Sequence, residues 1–126
     1  MGATLVRQEE APRFDVHGAK VVAYASPSRG SKSLATWRVT LDAGAASPLH
    51  SLDGDEVFIV LGGSADFQVD GKTLAVRAGD AITVSAGTKF RFTVTGGAPF
   101  EAIACVTAGI QARVEDGAPF APSWAL

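Results

Sequence analysis

The chain has 126 residues, of which 47% are hydrophobic and 19% charged, a size and composition typical of one globular domain rather than a disordered segment. Eleven Lys and Arg against 13 Asp and Glu, with no basic stripe, argue against nucleic acid as a partner. No apolar run reaches the roughly 18 residues of a membrane helix, no signal peptide opens the chain and one cysteine cannot form an internal disulfide, so we expect a cytoplasmic protein without a membrane partner.

Short apolar segments separated by glycine and proline predict an all-β fold with almost no helix. The predicted strands, in chain order, are HGAKVVAYAS (17–26), LATWRVTL (34–41), EVFIVLG (56–62), SADFQVDG (64–71), KTLAVRAG (72–79), DAITVSAG (80–87), KFRFTV (89–94) and FEAIACV (100–106). Asp70-Gly71 predicts a two-residue hairpin turn, because such a turn needs positive φ twice. Strands at this spacing suit a β-sandwich or a jelly-roll barrel.

Alternation within the strands assigns side chains to faces. Trp37 is expected on an apolar face, and Arg38 on the opposite, polar face. Parity places Phe58 on the same face as Glu56, and Phe92 on the same face as Phe90. Cys105 is expected to be a small core residue.

The C-terminal segment DGAPFAPSWAL, residues 116–126, holds two prolines and two aromatic residues. It is expected to form an ordered, irregular strap rather than a flexible tail. Phe120 and Trp124 would then cover an apolar patch, either on the chain's own barrel or on a partner subunit.

Two motifs resemble those of the cupin superfamily. The first family motif is G(X)5HXH(X)3–4E(X)6G, and its spacing is matched by Gly44, His50, Glu56 and Gly63. The second, G(X)5PXG(X)2H(X)3N, is similar to GDAITVSAGTKFRFTV (79–94), so the motifs together span residues 44–94. The resemblance is to small single-domain cupins of the cupin 2 type. It implies a double-stranded β-helix, the cupin jelly-roll barrel, over residues 1–126, and it implies a homodimer.

The resemblance also implies a divalent metal held by three histidines and a glutamate. His50 and Glu56 match two of these ligands, but Leu52 and Phe90 occupy the places of the other two. One histidine and one carboxylate fall short of the three protein ligands usual in catalytic metal sites. Another donor would be needed, and His17 is expected to be a surface or edge residue. We therefore predict a degenerate metal motif and no metal cofactor.

Family geometry would point His50 and Glu56 into the barrel, where an ionised carboxylate is costly unless it is paired. Glu56 should then either hydrogen-bond to His50 or stay protonated with a raised pKa. We predict a metal-independent pocket for isomerisation, cyclisation or elimination of a largely apolar small molecule. His50 would be general base or acid, and Glu56 would orient it or share its proton. The predicted substrate-binding residues are Trp37, Leu52, Phe58, Phe90 and Phe92.

Three alternatives stay open. The barrel could bind a small ligand without chemistry. Alternatively, His50 and Glu56 could hydrogen-bond to each other as the relic of an ancestral site, inside a barrel that binds nothing. A metal-dependent cupin oxygenase or isomerase with an atypical ligand set is the third. The sequence does not decide whether the protein is an enzyme, and it names no substrate.

Overall fold

The computed structural model describes residues 2–126 as two antiparallel β-sheets whose inner faces share one hydrophobic core. Met1, the first residue of the predicted domain, lies outside the described residues. The strands of residues 2–126 are β1 (Arg13–Val16), β2 (Ala19–Ala25), β3 (Leu34–Leu41), β4 (His50–Leu52), β5 (Glu56–Gly62), β6 (Ser64–Val69), β7 (Lys72–Arg77), β8 (Ala81–Val84), β9 (Phe90–Thr95), β10 (Phe100–Thr107) and β11 (Ala112–Val114). The helical elements of this part are two short 3-10 turns, Pro27–Arg29 and Ser123–Ala125. None of its helices is long and apolar enough to cross a membrane.

The strand order is that of a jelly roll. One sheet has the order β1-β2-β3-β10-β5-β8 and the other β11-β4-β9-β6-β7. From β3 to β11 each successive strand passes to the opposite sheet, except that the β6–β7 hairpin stays within one. This connectivity folds the chain into a barrel with a single interior. The predicted all-β, cupin-type jelly-roll fold is confirmed.

Alternation along the strands decides which side chains reach this interior. On β3, residues 35, 37, 39 and 41 are buried while those between them are only half-buried. Trp37 lies opposite Ala104 of β10, and Ala104 lies opposite Phe58 of β5, so the two rings share the inner face with an alanine between them. Cys105, next to Ala104, therefore falls on the outer face, where it is half-buried. The expectation of a core cysteine was wrong because its neighbours Ala104 and Val106 are the residues that face the interior.

All eight predicted strands are present, and the turn at Asp70-Gly71 is confirmed. These two residues have φ of 51° and 74°, and they join Val69 to Lys72 across the β6–β7 hairpin. Three strands, β1, β4 and β11, were not predicted from the sequence. Each has three or four residues, too short to display an alternation of its own.

A cluster of phenylalanine rings fills part of the barrel interior. Phe67 is completely buried and stacks on Phe92, with the ring centroids 5.0 Å apart. It meets Phe58 edge-on at 5.3 Å. Rings packed at such distances have little freedom to move, because protein interiors are close-packed. This phenylalanine cluster is a rigid part of the core, and through Phe90 it contacts His50.

The segment 116–126 crosses the barrel as a strap, tied down at both ends. Phe120 and Ala112 exchange backbone hydrogen bonds of 2.8 and 2.9 Å. At the other end, the carbonyl oxygen of Leu126 accepts a hydrogen bond from Ser26 Oγ at 2.6 Å and another from Ser28 Oγ. Between these ties, Trp124 packs edge-on against Trp37, with centroids 6.1 Å apart. The strap thus becomes part of the barrel interior.

Candidate functional site

A cavity of about 430 Å³ lies between the sheets and the strap, within the range of volumes that hold small organic molecules. Four of the predicted substrate-binding residues line it, namely Trp37, Leu52, Phe58 and Phe92. His50 and Glu56 line it as well. The structure therefore brings six of the seven predicted site residues to one cavity.

Phe90 is the exception, since it is not among the cavity-lining residues. It is 1% exposed and lies behind His50, with 4.2 Å between the ring centroids. Its other neighbours are Phe58 at 5.9 Å and Phe67 at 6.1 Å. Phe90 shares the inner face of β9 with Phe92, but its ring packs against the imidazole of His50 and does not line the cavity. Its role as a substrate contact is accordingly corrected to that of a packing residue beneath His50.

The orientation of His50 is fixed by the backbone before it. Its Nδ1 donates a hydrogen bond of 2.8 Å to the carbonyl oxygen of Pro48. A carbonyl oxygen can only accept, so Nδ1 carries the proton and, in the neutral ring, Nε2 holds the free lone pair. Burial lowers the pKa of His50, and the Pro48 carbonyl opposes this only in part. The ring is therefore neutral at pH 7, with Nε2 as its basic atom.

Glu56 opens β5 and is 4% exposed. Its side chain shares the inner face of the strand with Phe58. Burial raises the pKa of its carboxyl group to about 8, because an apolar interior disfavours the charged form. Oε1 has no hydrogen-bond partner within residues 2–126. The group is consequently an uncharged carboxylic acid at neutral pH.

Among the described residues no hydrogen bond joins His50 to Glu56. The expectation that Glu56 orients His50 is therefore wrong, and the Pro48 carbonyl does this instead. Of the two states expected for Glu56, its burial and the lack of a partner for Oε1 favour the second, a protonated group with a raised pKa. The site combines a neutral base and a neutral acid in one apolar cavity, so a bound molecule could accept a proton from one and give a proton to the other.

The residues present do not fit the divalent metal that the family resemblance implies. Leu52 and Phe90, at the positions of the missing histidines, are both more than nine-tenths buried and present only hydrocarbon. Within residues 2–126 there is no group of three or more His, Cys, Asp or Glu side chains placed to hold a metal ion.

Several cavity-lining residues were missed from the sequence. His17, expected to be remote, lines the cavity from the β1–β2 turn, close enough to His50 for its charge to contribute to the lowered pKa. His17 and Gly18 have φ of 51° and 83° and join Val16 to Ala19 in a two-residue hairpin. This is the arrangement already recognised at Asp70-Gly71, so the His-Gly dipeptide was the available signal. The strap adds Phe120, Pro122 and Trp124 to the lining.

The cavity lining carries little charge. Its titratable residues are Asp15, His17, His50 and Glu56. Of these, His50 and Glu56 are neutral at pH 7 for the reasons given above. Within the described part of the chain no lysine or arginine lines the cavity. An anionic group entering it would therefore meet no fixed positive partner.

The comparison with family models matches residues 37–106 to the cupin domain. Curated protein sequences give no match. Among solved structures, the polyketide cyclase RemF from Streptomyces resistomycificus superposes with a TM-score of 0.79 at 15% identity, over 92% of this chain and 87% of that one. A predicted oxalate decarboxylase from Thermotoga maritima gives 0.72 at 22% identity, over 82% and 98% of the two chains. A cupin-superfamily sugar phosphate isomerase from Silicibacter pomeroyi gives 0.72 at 18%, over 90% and 82%. At these identities the likeness shows the fold.

Proposed function

The chain belongs to the cupin family, and we propose that it is a member that transfers protons on a largely apolar small molecule without a metal. The reaction would be an isomerisation, a cyclisation or an elimination. One observation carries the proposal: an uncharged, unpartnered carboxyl group on Glu56 lines the same cavity as a neutral His50 whose basic atom is defined. The first of the structural relatives described above is itself a cyclase.

The proposed chemistry is proton abstraction next to a carbonyl group. His50 Nε2 takes a proton from the carbon while the carboxylic acid of Glu56 donates its proton to the carbonyl oxygen. The product is an enol, and the pair becomes an imidazolium and a carboxylate. Return of the protons to different positions gives an isomer, whereas attack of the enol carbon on a second carbonyl closes a ring. Because charged groups are costly in this apolar cavity, the imidazolium is driven to return a proton to the bound molecule and the carboxylate to take one from it.

Binding without chemistry is a second candidate, favoured by the aromatic lining of the cavity. Trp37, Phe58 and Phe92 suit a flat apolar molecule whether or not it reacts. Recovery of an unaltered ligand from the purified protein would support this candidate. Turnover that depends on His50 and Glu56 would contradict it.

Proton transfer can be tested without knowing the natural substrate. The probe is 2-tetralone, a neutral bicyclic ketone with exchangeable protons beside its carbonyl, incubated with the protein in D2O and followed by NMR. We expect wild-type protein to accelerate deuterium exchange, and both His50→Ala and Glu56→Gln to reduce that acceleration by about 100-fold, the usual size of a general acid or base effect. Arg91→Gln, at an exposed position on β9, is the matched control. Exchange that is equally fast in the control and both site variants would contradict the proposal.

Metal content is the independent test. Untagged protein should be analysed for metals as purified, and again after incubation with iron, zinc, manganese and nickel salts followed by desalting. We expect far less than one equivalent in every case. Near one equivalent that disappears in His50→Ala would support the metal-dependent oxygenase or isomerase with an atypical ligand set, and it would overturn the metal-free proposal.

A further inference from the structure

Two buried side-chain polar atoms lack a hydrogen-bond partner within residues 2–126, namely Glu56 Oε1 and the indole Nε1 of Trp124. Buried tryptophan N–H groups normally find an acceptor, since leaving a buried donor unpaired costs about 1–3 kcal/mol. Both residues line the same cavity. A few unpaired polar groups in the wall of an apolar cavity are the usual means of fixing a ligand's orientation.

The two groups come from different parts of the cavity wall. Trp124 is carried by the strap and packs on Trp37 of β3. Glu56 belongs to β5, and β10 lies between β3 and β5. Adjacent strands are about 4.8 Å apart, so Trp37 and Glu56 project from strands separated by about 10 Å. A molecule that spans this separation needs a framework of about two rings.

The lining also limits the ligand's charge. No lysine or arginine of the described chain faces the cavity, and a carboxylate or phosphate would be desolvated there without compensation. The aromatic side chains Phe14, Trp37, Phe58 and Phe92 form much of the remaining wall. A flat, neutral molecule matches these walls.

We propose that Trp124 Nε1 and the carboxyl group of Glu56 are the two polar ends of one binding site for a neutral, flat molecule of two or more rings with an acceptor oxygen near each end. This inference deepens the proposed function, on which it rests for the role of Glu56. Glu56 would hold the oxygen at the reacting end. Trp124 would hold the remote oxygen and set which carbon lies near His50, acting as a binding and specificity residue.

The test measures binding alone, by isothermal titration with 2,6-dihydroxynaphthalene and 2-naphthol as probes. In wild-type protein the second oxygen should strengthen binding about five- to tenfold, the usual effect of one hydrogen bond. Trp124→Phe keeps an aromatic ring at this position but removes the indole N–H, so it should abolish the tighter binding of the diol. Tyr24 lies half-buried on β2 and is not among the cavity-lining residues, so Tyr24→Phe is the control and should preserve the advantage. The anion 6-hydroxy-2-naphthoate should bind at least tenfold more weakly than the neutral diol.

Three results would overturn the inference: no binding of either neutral probe, an undiminished advantage of the diol in Trp124→Phe, or tighter binding of the naphthoate. The readout does not depend on turnover. A protein that keeps the advantage of the diol but fails to exchange deuterium into 2-tetralone would contradict the proposed chemistry and support this binding site. A protein that binds the diol no more tightly than 2-naphthol, but exchanges deuterium into 2-tetralone as expected, would contradict this binding site and support the proposed chemistry.

Discussion

The imidazole of His50 lies against the ring of Phe90, with 4.2 Å between their centroids, at a position where their strands are paired. In the family resemblance, Phe90 stands where a metal-binding histidine is expected. Phe90 therefore replaces one metal ligand and also shields His50, the motif histidine that is present, from water. This contact contributes to the burial that holds His50 neutral.

Replacing both apolar residues by histidine should create a metal site. In Leu52→His/Phe90→His, three histidines and Glu56 would occupy the four family positions, and a bound cation would favour the ionised form of Glu56. We expect near one equivalent of zinc or nickel after incubation and desalting, and a melting temperature that rises on adding the metal. Without metal the double variant should be less stable than wild type, because Phe90 is a core residue. Adding His50→Ala should abolish the binding, and an unchanged metal content in the double variant would contradict the placement of these residues.

Glu56 should make stability depend on pH. Its pKa is about 8 in the folded protein against an ordinary value of 4.5, so between these values the unfolded chain releases the proton while the folded chain keeps it. The free energy of unfolding should therefore fall as pH rises from about 5 to 8, by something on the order of 4 kcal/mol from this group. Glu56→Gln removes the effect, so urea unfolding at several pH values should show a much flatter profile. Parallel profiles for the two proteins would contradict the buried, uncharged state.

His50 should be a neutral ring with its proton on Nδ1. Proton–nitrogen correlation spectra at pH 7 should show a protonated Nδ1 and an unprotonated Nε2, as the bond to Pro48 requires. The titration midpoint should lie below 6.5, since burial lowers the pKa. The chain has two histidines, and His50→Gln identifies which signals belong to His50. A proton on Nε2 at pH 7 would be incompatible with the proposed base.

The proposed activity should be confined to a window of pH. It requires deprotonated His50, whose pKa is lowered, and protonated Glu56, whose pKa is about 8. Deuterium exchange into 2-tetralone should fall off below a midpoint that lies under 6.5, and again above about pH 8. Activity that keeps rising well above pH 8 would show that the carboxylic acid of Glu56 is not needed.

Ser26 should hold the strap in place. It is fully buried, donates to the carbonyl oxygen of Leu126 and accepts from Arg29 Nη1 at 2.7 Å. Ser26→Ala removes both hydrogen bonds, while Ser28 Oγ still donates to Leu126, so it should cost about 0.5–1.5 kcal/mol. Hydrogen exchange of residues 116–126 should accelerate, whereas Ser28→Ala, at an exposed site with the same acceptor, should have a smaller effect. Equal exchange in both variants would contradict the anchoring role of Ser26.

The strands with clear alternation could be predicted from the sequence, and so could the faces of Trp37 and Phe58. Of the parts that escaped prediction, β4 and β11 depend on partners that are distant in the chain. β4 is a strand because His50–Leu52 pairs with β11, and neither segment has a pattern of its own. His17 joins the site because a hairpin turn brings it there. The state of Glu56 was one of two predicted, and its burial without a hydrogen-bond partner favours the protonated one.

Three predictions from the sequence concern properties that the structure of a single chain does not test. One domain over residues 1–126, a homodimer and a cytoplasmic location all stay predictions. The dimer has a direct check, since a monomeric mass at micromolar concentration would contradict it.

The absence of lysine and arginine from the described cavity wall has consequences for the rate and the heat capacity of ligand binding. A neutral ligand is not attracted over a distance, so the association rate should be nearly independent of ionic strength. Burial of its rings against Trp37 and Phe58 should give a negative heat-capacity change on binding. Selectivity would then rest on shape and on where a ligand carries its oxygens.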